Sequence, residues 1–217
     1  MSLHDPVSVR EWYADSSAAF VDVVDRVPTS GLDRPALGEW TMRSLVGHTC
    51  RSGFTTIEVY FAAARDRVDA GEGLGDLLDG PAAYFHTALD RVTDQSLVTE
   101  AGVRAGVGLG DEPFDHAHDL AARGVALVDT LADDDVLLTP VGAISVSDYL
   151  ATRAFELSVH TLDIVDAAGI EPPVQLPGCA RRAAALAASL TRDYDVYTLL
   201  RGVLGRGEMP TGFTCLR

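Results

Sequence analysis

Apolar residues along this chain recur at the three- and four-residue steps of amphipathic helices. Trp12, Phe20, Val23, Val24 and Val27 predict a first helix over 9–27 that stops at Pro28. A loop with Gly and Pro leads to Trp40. Thr41 then suits the N-cap of a long second helix that carries Leu45, Val46, Phe54, Ile57, Tyr60 and Phe61 on its apolar positions and ends near Gly71. A third helix is expected over about 76–92. The stretch GVRAGVGLG, 102–110, reads as a flexible, weakly structured loop before Pro113 opens a helix to about Leu131. LLTPVGAISV, 137–146, mixes β-branched residues with Pro and Gly and predicts a short hairpin-like connection. Ser147 is the expected cap of a helix over 148–168 that Gly169 ends. Beyond the prolines of EPPVQLPG come an Ala- and Leu-rich helix over 179–190 and a short one over 196–204. This is the pattern of an all-α protein built on a bundle of long helices, without internal repeats.

At 217 residues, 47% hydrophobic and 23% charged, the chain suits one globular unit with a short extension. The proline cluster divides it into a helical bundle over 1–171 and a C-terminal helical extension over 172–217. Seventeen basic against thirty-two acidic residues give a net charge of −15, which repels phosphate backbones and anionic membranes and argues against nucleic-acid partners. All the basic residues are Arg; Lys and Asn are absent. Schiff-base chemistry and a P-loop lysine are therefore excluded, and the composition has the bias of GC-rich coding. Cys50, Cys179 and Cys215 show no CxxC spacing, so neither a disulfide framework nor a zinc knuckle is indicated. With no signal-peptide pattern and no apolar run of about 20 residues, the expectation is a cytoplasmic protein with no membrane partner.

Chemistry concentrates on the 148–168 helix. Leu150, Ala151, Ala154, Phe155, Leu157, Val159, Leu162, Ile164 and Val165 make most of its circumference apolar, as in an interior helix. Yet Arg153, Glu156, His160 and Asp163 follow at steps of three and four and form one polar stripe. A buried Glu156 needs compensation. Ion pairing with Arg153 and His160 within the helix is one form. A metal is the other, since Glu and His at i and i+4 point the same way and one further ligand would complete a facial set. Candidates for that ligand are His48, in the apolar run of the second helix, and His86, His116 and His118. Cys50 is turned away from His48 by its two-residue offset. GxSxG, HExxH and a dinucleotide-type glycine fingerprint are absent, the GxGxG at Gly106, Gly108 and Gly110 following no strand. The acidic run 133–135 reads as a solvated turn.

Three segments together resemble the mycothiol-dependent maleylpyruvate isomerase branch of the DinB/YfiT-like superfamily. EWTMRSLVGHT, 39–49, is similar to its W(S/T)xxxLxxH segment, RAFELSVHTLDIVDA, 153–167, to its RxxExxxHxxD helix, and LRGVLGRGEMPTGFTCL, 200–216, to the ending of its actinobacterial relatives. The resemblance implies an up-and-down four-helix bundle and a divalent metal, usually zinc, held by His48, Glu156 and His160. It also implies a low-molecular-weight thiol, mycothiol, as co-substrate, and isomerase or S-transferase chemistry on a small electrophilic molecule. Arg153 would orient Glu156, and Asp163 would accept from a histidine ring nitrogen. The fuller C-terminal domain of that branch's isomerases has little counterpart after Pro177, so the expectation is the superfamily chemistry rather than the named reaction. The alternative is a non-catalytic bundle that binds a metal or a small molecule; a monomer or homodimer suits either.

Overall fold

The longest helix, α7 (Val146–Ala168), packs against more of the other elements than any other helix does. The computed structural model describes residues 6–91 and 95–216. In chain order these form α1 (Pro6–Arg26), the short strands β1 (Pro35–Leu37) and β2 (Trp40–Thr41), α2 (Met42–Cys50), α3 (Thr56–Asp69), α4 (Gly80–Arg91), α5 (Gln95–Gly108) and α6 (Pro113–Val128). The hairpin β3 (Val136–Thr139) and β4 (Gly142–Ser145) precedes α7, and α8 (Leu176–Leu190) and α9 (Val196–Val203) follow it. The protein is all-α, its only sheets among the described residues being two antiparallel pairs.

Core residues fall where the helical spacing puts them. Trp12, Phe20, Leu45, Phe54, Ile57, Leu150, Leu157 and Ile164 are all buried. Along the seam between α1 and α7, Trp12 Nε1 donates to Ser158 Oγ (3.0 Å), and the Ser16 and Ser158 hydroxyls lie 3.0 Å apart. Three polar groups inside the core thereby satisfy one another. Thr41 caps α2, its Oγ1 accepting from the Ser44 amide (3.3 Å). At α7 the cap is Ser145 rather than Ser147: its Oγ accepts from the Asp148 amide (3.1 Å), and the helix starts as soon as the hairpin ends. Gly169, at φ 65°, closes it in the left-handed conformation that favours glycine.

Two departures from the sequence pattern shape the site. The long second helix is one rod broken by a π-helical turn, Arg51–Thr55, between α2 and α3. Tyr13 Oη donates to the Gly53 carbonyl of that turn (3.1 Å), and a Cβ on Gly53 would meet Leu157 at 2.5 Å, so the turn lies tight against α7. Residues 102–110, expected as a flexible loop, belong mostly to α5. Two of their glycines are contact points: a Cβ on Gly106 would lie 2.8 Å from Ser44 Cα and one on Gly102 2.4 Å from the Trp40 ring, while one on Gly47 of α2 would lie 2.3 Å from the Gly106 amide nitrogen. Glycine serves here for close backbone approach, which outweighs its low helix propensity. The expected third helix begins at Gly80 rather than near Asp76, and β1 and β2 stand where a plain loop was expected.

Helix α8 packs along α7 and α1. No residue of α9 is buried. No helix among the described residues is long and apolar enough to cross a membrane.

Candidate metal centre

His48 on α2 and Glu156 and His160 on α7 converge. One potential donor atom from each lies within 4.8 Å of the others, and this is the only such group of His, Cys, Asp or Glu side chains among the described residues. Glu156 and His160 meet because they are one turn apart on one face. His48 joins them because α2 crosses α7 with its interior face toward the same stripe. Glu156 Oε2 stands 3.3 Å from His160 Nε2 and 3.9 Å from His48 Nε2. The imidazole centroids are 4.8 Å apart and mutually perpendicular. Side-chain exposures of 11%, 21% and 15% for His48, Glu156 and His160 keep the group accessible from one side while largely removed from water.

Asp163 supports His160 from below: the Nδ1–H donates to Asp163 Oδ2 at 2.9 Å. This bond fixes the tautomer and aims the Nε2 lone pair at Glu156. Two acceptors then face each other at 3.3 Å, an arrangement that needs a cation between them, either a proton or a metal. Burial opposes a charge on His160, but the bonds to Asp163 and Glu156 outweigh it and push its pKa up to about 9. Glu156 is likewise opposed by burial, yet His160, His48 and the nearby Arg153 charge hold it well below the usual carboxylate range.

His48 is the informative member. Burial lowers its pKa despite Glu156, so it is neutral with a free lone pair at pH 7. Neither ring nitrogen makes a hydrogen bond to any described residue: Nδ1 is buried without a partner, and the 3.9 Å from Nε2 to Glu156 is too long for one. Trp40 stacks on this ring at 4.5 Å and meets His160 edge-on at 6.3 Å, its own Nε1 donating to Thr99 O of α5 (2.9 Å). A tetrahedral ion with ligand bonds of about 2.0–2.1 Å holds its donors about 3.3 Å apart. The 3.3 Å separation of His160 Nε2 and Glu156 Oε2 meets that value, and the 3.9 Å to His48 Nε2 is wider than it, so the group could hold a metal ion with His48 drawn in toward it.

The other histidines are engaged elsewhere. His86 Nε2 meets Leu190 O (3.0 Å), His118 Nε2 meets Asp25 Oδ1 (2.8 Å), and His116 lies outside the group. Cys50 is buried and its thiol pushed up by burial. Arg153 does not hydrogen-bond Glu156. Its Nε donates to Thr152 Oγ1 (2.9 Å) and its Nη1 to Ser52 O of the π turn (3.0 Å), so it reaches Glu156 through its charge alone.

A cleft of about 240 Å³ opens beside His48 and Glu156. Arg51, Tyr60, Tyr84, Tyr149 and Arg153 line it, with Leu216 of the C-terminal tail at its edge. Sequence reasoning missed the aromatic part of this site. Tyr149 and Arg153 are one turn apart on α7 and could have been paired by spacing, but Tyr84 comes from α4 and only the fold brings it there. The chain matches no family model, no curated protein and no solved structure.

Proposed function

We infer that the chain is a metal- and thiol-dependent isomerase or S-transferase of the DinB-like kind, acting on a small electrophilic molecule. The observation that carries this reading is His48: a buried, neutral imidazole without a hydrogen bond, turned toward a carboxylate and a second imidazole at metal-ligand spacing. In the four-helix bundle of this reading, α1, the α2–α3 rod, α6 and α7 are the four members.

His48, Glu156 and His160 would hold the ion, zinc in this reading, although two imidazoles and a carboxylate also suit non-haem iron. Bound there with a coordination position left open, a divalent metal would keep the thiol of a small cofactor such as mycothiol deprotonated and nucleophilic at neutral pH. Asp163 holds His160 in the ligating tautomer. Trp40 shields the outer face of His48 from water, and α5 holds Trp40 in place through Thr99 O. The accessible side of the group leads into the tyrosine- and arginine-lined cleft, where the electrophile would sit. No fourth protein donor joins the group among the described residues, which favours a catalytic over a closed structural site. The free cysteines suit a cytoplasmic setting.

The test is turnover: zinc-loaded protein should accelerate addition of mycothiol to an α,β-unsaturated carbonyl compound, and the His160→Ala variant should not. Equal rates with and without the protein would leave a metal-binding bundle that does no thiol chemistry.

A further inference from the structure

Arg153 is only 5% exposed, yet no carboxylate of the described residues lies within ion-pair distance of it. Two of its donors are used, Nε on Thr152 Oγ1 and Nη1 on Ser52 O, and both N–H groups of Nη2 remain unspent. The rings of Tyr149 and Tyr84 lie 4.6 and 5.6 Å from its Cζ. Those faces offset part of the lost hydration but accept none of the remaining hydrogen bonds. Tyr149 is itself fully buried, and its Oη has no hydrogen-bond partner among the described residues. Burial keeps the Tyr149 hydroxyl protonated, so it is a donor throughout the physiological range. An unspent guanidinium edge and an unpartnered phenol thus line one cleft, beside Glu156 and with the exposed Arg51 at the rim. On a chain of net charge −15, this arginine pair makes a local site of the opposite sign.

We propose that Arg153 and Tyr149 form an oxyanion subsite that takes a carboxylate of the small-molecule substrate. The planar fork of the guanidinium matches the two oxygens of a carboxylate, and one of those oxygens can also accept from Tyr149 Oη. The cleft, about 240 Å³, has room for a small organic acid. The word substrate rests on the catalytic reading above; the subsite itself stands on Arg153 and Tyr149 and needs no metal.

For that reason the experiment uses chelator-treated full-length protein, with propionate as probe, propionamide as its uncharged counterpart and inorganic phosphate as a competing anion, followed by ligand-detected NMR. Propionate should bind in the millimolar range and propionamide at least about tenfold more weakly, phosphate failing to displace it at equal concentration. Arg153→Gln should lose at least about tenfold in propionate affinity. Tyr149→Phe, which keeps the ring on the guanidinium and the core filled, should lose several-fold and decides the matter if Arg153→Gln does not fold. All of these measurements are made on metal-free protein, which separates this subsite from the metal reading. Equal binding of propionate and propionamide, preference for phosphate, or wild-type affinity in Tyr149→Phe would overturn the proposal.

Discussion

Asp163 Oδ2 sits 2.9 Å from His160 Nδ1, one turn further along α7, and so decides which nitrogen His160 turns toward Glu156. The same bond makes the imidazole more basic and its ring less free to rotate, both of which favour ligation. Replacing Asp163 by Asn keeps an acceptor of similar shape and removes the charge. Affinity for zinc should fall about 10- to 100-fold, measured by competition with a chromophoric chelator. Unchanged affinity would mean that the contact serves only the surface of the helix.

His160→Ala removes a donor while leaving a strong helix former in α7. The variant should stay helical by circular dichroism and lose its metal. Glu156→Gln keeps the size and removes the charge, and should bind metal more weakly than wild type. Wild-type metal content in His160→Ala would place the metal elsewhere.

Proton release gives an independent handle. In metal-free protein His160 titrates near 9, so at pH 7.5 it carries a proton that metal binding must expel. Calorimetric titration with zinc in two buffers of different ionisation enthalpy should therefore report release of about one proton per ion, falling toward none as pH rises past 9. The raised pKa also means that the His160 pairing stabilises metal-free protein fully below about pH 6.5 and that this contribution is lost as pH climbs through about 9. Thermal melts of chelated protein should fall across that window, and less so for Asp163→Asn.

The glycines of α5 make a prediction about the fold. A Cβ on Gly106 meets the backbone of α2 at 2.8 Å, whereas one on Gly108 meets nothing within 4 Å. Gly106→Ala should cost about 1–3 kcal/mol and loosen the Thr99–Trp40 contact, seen as a shift in tryptophan fluorescence. Gly108→Ala should be neutral or stabilise by up to about 1 kcal/mol. Equal melting points for the two variants would contradict the close-packing account.

These positions show what could be read from sequence and what could not. The polar stripe on α7 follows from periodicity alone, because Arg153, Glu156, His160 and Asp163 sit at helical steps on an otherwise apolar element. His48 was one of four histidine candidates until the crossing of α2 over α7 singled it out. Residues 102–110 misled because glycine has two uses with the same composition, chain flexibility and backbone contact, and only the partner surface of α2 tells them apart. The π turn at Arg51–Thr55 has no side-chain signature, yet it supplies the Ser52 carbonyl that holds Arg153. Tyr84 enters the site purely by tertiary packing of α4.

The most direct test of the central claim is metal content and its response to thiol. Protein purified without a metal-affinity tag should carry one divalent ion per chain, His48→Ala should carry none, and the cobalt-substituted wild type should shift its visible spectrum when mycothiol is added under reducing conditions. Wild-type protein that stays metal-free after zinc is supplied, with its helical spectrum intact, would reduce His48, Glu156 and His160 to a buried ion-pair cluster and contradict the account.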